Sequence, residues 1–241
     1  MKAIILAAGR GSRMKTLTKN LPKCHVKLRG KKLIDWQLET LKNAGIDQIA
    51  IVRGYKKDDF NYNLKYFENN NWSETNMVMS LLTADEWLRK NTCVISYSDI
   101  VYSTDAVLRL KMVSEDIGIT YDENWFKLWS ARFRDPLSDA ETFKVDTKGL
   151  LTEIGNKPKT IEEVQGQFMG LLKIEPSGWK KIFQLINQHT ETEKAKMDVT
   201  TLLQKLIERG VNVSAVPIRD AWYEVDSESD LQYYSSLERL W

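Results

Sequence analysis

Short apolar runs and amphipathic stretches alternate through the first half of the chain. Residues 3–6 form an uninterrupted apolar run, the pattern of a strand buried on both faces, and a glycine-rich turn follows. Leu33, Ile34, Trp36, Leu38 and Leu41 recur at helical spacing, with Gly45 as the stop. Residues 48–52 read as a second strand. Residues 76–88 read as a helix with Met77, Ser80, Leu81, Ala84 and Leu88 on one side, and 92–97 as a third strand ending in Ser98-Asp99. Strand, turn and helix repeating in this way predict a parallel sheet with helices on both faces. Ligands of such sheets bind at the carboxyl ends of the strands.

The second half has a different rhythm. Residues 117–121, 126–133, 142–145, 150–154 and 167–174 are short strand candidates separated by turn signals. Helices are predicted over 179–188 and 199–208, the latter capped by Asp198 and ended by Gly210. A strand over 211–216 and a helix over 227–240 follow, with Ser227 and Asp230 spaced as a capping box. No repeat, low-complexity tract or linker interrupts the chain. The fold class expected is α/β: a Rossmann-like, mostly parallel sheet flanked by helices, with a mixed α/β C-terminal half, all in one domain over 1–241.

Composition narrows the function. With 35 basic and 33 acidic residues the net charge is +2, no basis for a general nucleic-acid or membrane-surface binder. The longest apolar runs fall well short of the roughly 20 residues of a membrane helix. Residues 3–8 run straight into Gly-Arg-Gly-Ser-Arg without the longer apolar region of a signal peptide. Cys24 and Cys93 are too few for a disulfide framework and read as reduced, cytoplasmic residues. His25 and His189 cannot make a His-rich metal centre.

Chemistry concentrates in three places. Leu6-Ala7-Ala8-Gly9-Arg10-Gly11-Ser12-Arg13-Met14 follows the first strand, where glycines let backbone N–H groups approach a polyphosphate and Arg13 adds a forked contact. The dinucleotide fingerprint is incomplete here, and the P-loop Gly-Lys-Ser/Thr is absent. Lys23, after Leu21-Pro22, suggests a second phosphate clamp. Asp99 closes the third strand, and Asp226 precedes the last helix in Trp222-Tyr223-Glu224-Val225-Asp226. Two carboxylates suit magnesium, which leaves its other positions to water and phosphate oxygens. Taken singly, these features read as a flexible turn, a solvated lysine, a turn residue and a helix cap.

Together, the LAAGRGSRM run, the Pro-Lys step and the strand ending in aspartate resemble the nucleotidyltransferase family that makes nucleotide-sugars and CDP-alcohols. The resemblance spans nearly the whole chain. It implies that residues 1–115 mainly bind nucleotide and 116–241 mainly bind the acceptor. Leu6, Ala7, Ala8, Gly9, Gly11, Ser12, Arg13, Lys23, Asn76, Ser80 and Ser98 would meet the nucleotide, and Asp99 and Asp226 would hold Mg2+. Within the family the chain is most similar to cytidylyltransferases acting on phosphocholine and 2-aminoethylphosphonate, on three stretches: 69–81, Asp122-Glu123-Asn124-Trp125-Phe126 and Tyr223-Glu224-Val225-Asp226-Ser227.

Trp125 and Trp129, with Tyr121 and Trp222, offer aromatic faces to a quaternary ammonium. The charged stretch 132–143 offers Asp139 and Glu141 to a primary ammonium. Gln167 and Tyr223 complete the expected acceptor site, and Asn156-Lys157-Pro158 resembles the glutamate-lysine-proline step of the sugar enzymes. Lys23, Arg13 and Lys157 are therefore the expected catalytic cations. The expected reaction is attack by an acceptor oxygen on the α-phosphorus of CTP, cytoplasmic and in the service of surface glycan or lipid decoration. The expected partners are CTP and a small phosphate- or phosphonate-bearing amine, with neither nucleic acid nor membrane insertion, and a homodimer left open. The alternatives are a sugar-1-phosphate nucleotidyltransferase using UTP or dTTP, a glycosyltransferase of similar fold and a non-catalytic nucleotide-binding module.

Overall fold

The computed structural model describes residues 1–238. Strand β1 (Lys2–Ala7) leads into the glycine loop, and the hairpin of β2 (Lys27–Leu28) and β3 (Lys31–Lys32) precedes helix α1 (Leu33–Asn43). Next come β4 (Ile49–Arg53), β5 (Lys65–Glu68), α2 (Met77–Leu82) and α3 (Asp85–Leu88). They are followed by β6 (Cys93–Tyr97), β7 (Ile100–Val101), α4 (Thr104–Lys111) and β8 (Ile117–Asp122). Helix α5 (Trp125–Arg132) opens a run through β9 (Phe143–Val145), β10 (Leu151–Ile154), β11 (Gln167–Ile174) and α6 (Pro176–Ile186). The described chain finishes with α7 (Glu191–Lys196), α8 (Val199–Glu208), β12 (Ser214–Ile218), β13 (Tyr223–Glu224) and α9 (Glu228–Ser236).

Seven strands form one sheet in the order β12-β8-β11-β6-β1-β4-β5. All pairs are parallel except those of β11, which runs antiparallel to β6 and β8. The apolar run of β1 sits near the middle because both its faces need cover. Ile4 and Leu6 join one core layer; Ala3, Ile5 and Ala7 join the other. From β1 the chain builds outward through β4 to one side, then crosses to β6 on the other. This reversal opens a crevice at the carboxyl ends of β1 and β6. The glycine loop and Asp99 leave the sheet there.

Two expected elements need correction. Residues 126–133 are not a strand: α5 is a helix because Trp125 and Trp129, one turn apart, are both buried while Phe126 between them is 44% exposed. The helix expected over 76–88 is two, broken at Thr83-Ala84. The capping box of Ser227 and Asp230 is present, as is the Asp198 cap. The expected end of the last helix at Leu240 lies outside the described residues.

Candidate active site

Gly11 has φ +67, and a Cβ there would lie 2.6 Å from Cδ of Lys23. Its lack of a side chain thus serves the turn and the close passage of the lysine stem. The short turn Ser12–Met14 buries Met14 against Leu28 and Tyr234 and leaves Arg13 projecting outward, 67% exposed. The Arg13 guanidinium meets Asp226 Oδ2 at 2.7 Å. Lys23 is only 7% exposed, and its ammonium donates to Asp99 Oδ2 at 2.6 Å and to Asp226 Oδ1. Burial opposes its charge, but the two carboxylates outweigh burial and hold its pKa above the ordinary lysine value.

Asp99 and Asp226, distant in sequence, meet through a two-stranded ribbon. β13 pairs antiparallel with β7, Glu224 opposite Ile100, and Val225 N donates to Asp99 O at 2.9 Å. Alternation along this extended segment turns Glu224 and Asp226 to the same side. Carboxylate oxygens of Asp99, Glu224 and Asp226 all lie within 4.8 Å of one another. Glu224 is not singled out by the sequence alone; its position two before Asp226 in a strand is the available signal. Burial, then the charge of Asp226, raises the Glu224 pKa to about 7. Asp99 Oδ1 is buried with no hydrogen-bond partner among the described residues, an acceptor left for a cation. This all-oxygen set fits a hard divalent cation.

Arg132 supports the carboxylates from behind. Its side chain is 1% exposed; Nη1 donates to Glu224 at 2.9 Å, while Nε and Nη2 reach Asp230 at 3.0 and 3.3 Å. Asp230 in turn accepts the backbone N–H of Asp226 at 3.0 Å and of Ser227 at 2.9 Å. The guanidinium also lies over the Trp129 ring, 5.0 Å from its centroid.

From these carboxylates a cleft of about 230 Å³ runs to a second acidic group, Asp139, Glu141 and Asp198. Trp129 and Gln167 also line it, so five expected acceptor and metal residues share one cavity with Arg13. Burial, followed by the charge of Asp198, raises the Glu141 pKa. Gln167 holds the Glu141 backbone: its Nε2 donates to Glu141 O at 2.8 Å and its Oε1 accepts Glu141 N at 3.4 Å.

Several expected site residues lie elsewhere. Trp125 is 3% exposed, donates from Nε1 to Val164 O at 3.0 Å, and belongs to the core beneath α5 rather than the cleft. Tyr223 packs on Tyr234, ring centroids 4.7 Å apart, facing away from the cleft. Asn76 caps α2, accepting Met77 N at 2.8 Å, and Ser80 is buried, accepting from Asn69 Nδ2 at 3.0 Å. Both side chains hold the fold around α2. Lys157 is exposed, and its ammonium donates to Leu137 O and Ser138 O, so it stands at the rim near Glu141 rather than at the phosphate end. Leu6, Ala7 and Ala8 are buried side chains. At Gly9 nothing lies within 4 Å of where a Cβ would stand, and Ser12 and Ser98 sit in the flanking turns. Among the described residues, no helix is long and apolar enough to cross a membrane.

Residues 3–142 match the family model of the MobA-like NTP transferase domain. The chain is 40% identical over 249 aligned residues to the CTP:phosphoglutamine cytidylyltransferase of Campylobacter jejuni, covering 96% of this chain and 98% of that one. The 2-aminoethylphosphonate cytidylyltransferase of Lancefieldella rimae is 33% identical over 113 residues, 44% of this chain and 46% of that one. In architecture, the solved CTP:phosphocholine cytidylyltransferase of Streptococcus pneumoniae superimposes with a TM-score of 0.76, covering 99% of both chains at 22% identity.

Proposed function

Because the chain belongs to the MobA-like NTP transferase domain family, we propose that it moves CMP from CTP onto a small phosphate- or phosphonate-bearing amine, releasing pyrophosphate. The observation that carries this reading is a single cleft with a metal-type carboxylate triad at one end and a second acidic trio at the other. The triad end suits a triphosphate; the trio suits an ammonium group, which needs several acceptors. A phosphorylated amine such as phosphoglutamine, the acceptor named for the C. jejuni relative, spans both. The quaternary ammonium of phosphocholine is the weaker fit, because Trp125 stands outside the cleft. Lys157 at the rim suits an acceptor carboxylate.

In the proposed reaction an acceptor oxygen attacks the α-phosphorus of CTP. The bond from that phosphorus to its bridging oxygen breaks, and pyrophosphate leaves with the electron pair. The attacking oxygen is already ionised at neutral pH, so no side chain is needed as a base, and none of the chain's histidines lines the cleft. Asp99, Glu224 and Asp226 would hold Mg2+, which neutralises phosphate charge when bound. Lys23 and Arg13 stabilise charge on the phosphates, and backbone N–H groups at Gly9 to Gly11 cradle them. Glu141, held by Gln167, orients the amine with Asp198 and Asp139. The buried free thiols of Cys24 and Cys93 support cytoplasmic placement.

The test is pyrophosphate release from CTP, UTP, dTTP or ATP, each with phosphoglutamine, 2-aminoethylphosphonate, phosphocholine or a sugar 1-phosphate. Turnover restricted to CTP and an amine is expected. Turnover restricted to UTP or dTTP and the sugar phosphate would replace this reading with the sugar-nucleotide one.

A further inference from the structure

Tyr97 stands where the two ends of the cleft meet. It closes β6 two residues before Asp99, and it lines the cleft with Glu224 and Asp226 toward one end and Glu141 and Asp198 toward the other. The fold makes room for its ring. Gly170, on neighbouring β11, has φ +76 at an irregularity in the pairing with β8, and a Cβ there would lie 2.7 Å from Tyr97 Cδ2. Phe168 meets the ring edge-on with centroids 5.8 Å apart, and the Tyr97 carbonyl is pinned by Gln37 Nε2 at 2.9 Å. Ring and backbone are therefore fixed on three sides. The hydroxyl, by contrast, has no hydrogen-bond partner among the described residues.

Its surroundings say what it suits. Glu141, Asp198, Glu224 and Asp226 share the cleft wall with it as acceptors, and the phenol supplies an O–H donor among them. A phosphoryl group entering between the two acidic clusters meets carboxylates that repel its oxygens. The cations Lys23 and Arg13 stand beside Asp99 and Asp226 at the triad end, where they serve the triphosphate. The fixed O–H of Tyr97 is a donor that the wall offers between the two acidic groups.

We propose that Tyr97 is a substrate-binding residue whose hydroxyl donates a hydrogen bond to a non-attacking oxygen of the acceptor's phosphoryl group. The assignment rests on the acceptor reading above. It orients the attacking oxygen and transfers no proton.

Tyr97→Phe removes the oxygen and keeps the ring. With the acceptor that the wild type uses best, the acceptor KM should rise about 10- to 100-fold, the usual worth of a hydrogen bond to a charged group. The CTP KM should stay within twofold, and the thermal midpoint should hold or rise. Tyr97→Leu, which also empties the seat beside Gly170, should lower the midpoint and disturb both KM values, showing what structural damage looks like. Calorimetric titration of 2-aminoethylphosphonate into wild type and Tyr97→Phe gives the same comparison without turnover. An acceptor KM or affinity within twofold of wild type in Tyr97→Phe would overturn the assignment; so would CTP and acceptor KM rising together with a lowered midpoint. If the wild type prefers a sugar 1-phosphate, the acceptor reading falls, and Tyr97→Phe measured on that sugar phosphate still decides the role of Tyr97.

Discussion

Arg132→Gln tests whether the carboxylate triad depends on the helix behind it. The substitution removes a buried cation that bonds Glu224 at 2.9 Å and Asp230 at 3.0 and 3.3 Å. Breaking a buried ion pair by deleting one partner costs about 3–5 kcal/mol, because the other charge stays buried. The lower end applies here for two reasons. Asp230 keeps its bonds from Asp226 N and Ser227 N, and Glu224, with a pKa already raised to about 7, can take up a proton. A loss of about 3 kcal/mol corresponds to a fall in Tm of roughly 6–12 °C for a chain this size. Urea unfolding and calorimetry measure it. Glu224 binds its proton more tightly folded than unfolded, so its contribution is full below the ordinary glutamate range and lost as pH rises through its folded value. Without Arg132 that folded value climbs further, and the deficit should be larger at pH 8.5 than at pH 5.5. A loss under about 1 kcal/mol, or a deficit that grows on acidification, would refute the reasoning.

Gly11→Ala should raise the CTP KM and lower stability by about 1–3 kcal/mol, since the new Cβ meets a strained φ and the Lys23 stem; unchanged nucleotide binding would contradict the cradle. Glu141→Gln should raise the acceptor KM while making the free protein more stable at neutral pH. The folded Glu141 pKa is raised, so its share of stability is full in acid and lost as pH rises, a loss that the neutral amide avoids. Paired KM and unfolding measurements read both effects. Cys24 and Cys93 are buried, the Cys93 thiol with its pKa pushed up to about 12, so a thiol reagent should label neither in the native protein and both after unfolding.

Much of this was legible in the chain because local pattern and tertiary role agree. The apolar run of β1 needs cover on both faces, and the turn after it must carry the glycines. Asp99 reads as a turn residue and Asp226 as a helix cap until Arg13 and Lys23 are taken with them. What escaped was set by distant packing. Whether residues 126–133 alternate or spiral depends on which tryptophans find a core, and Trp125 found one beneath α5 instead of a substrate. Glu224 was passed over because its place beside Asp99 follows from β13 pairing with β7, a contact across more than a hundred residues. Tyr97 and Asp198 read as an ordinary strand residue and a helix cap; Gly170 and the approach of Glu141 make them cleft residues.

Transfer of CMP is followed by 31P NMR of the enzyme with CTP, Mg2+ and phosphoglutamine, beside an Asp226→Asn control. Pyrophosphate and a CMP–acceptor diphosphate should appear in equal amounts in the wild type, with the rate in the control reduced by about 10²–10³-fold or more. CTP consumed without a new diphosphate, or wild-type rates in the control, would contradict the proposed reaction.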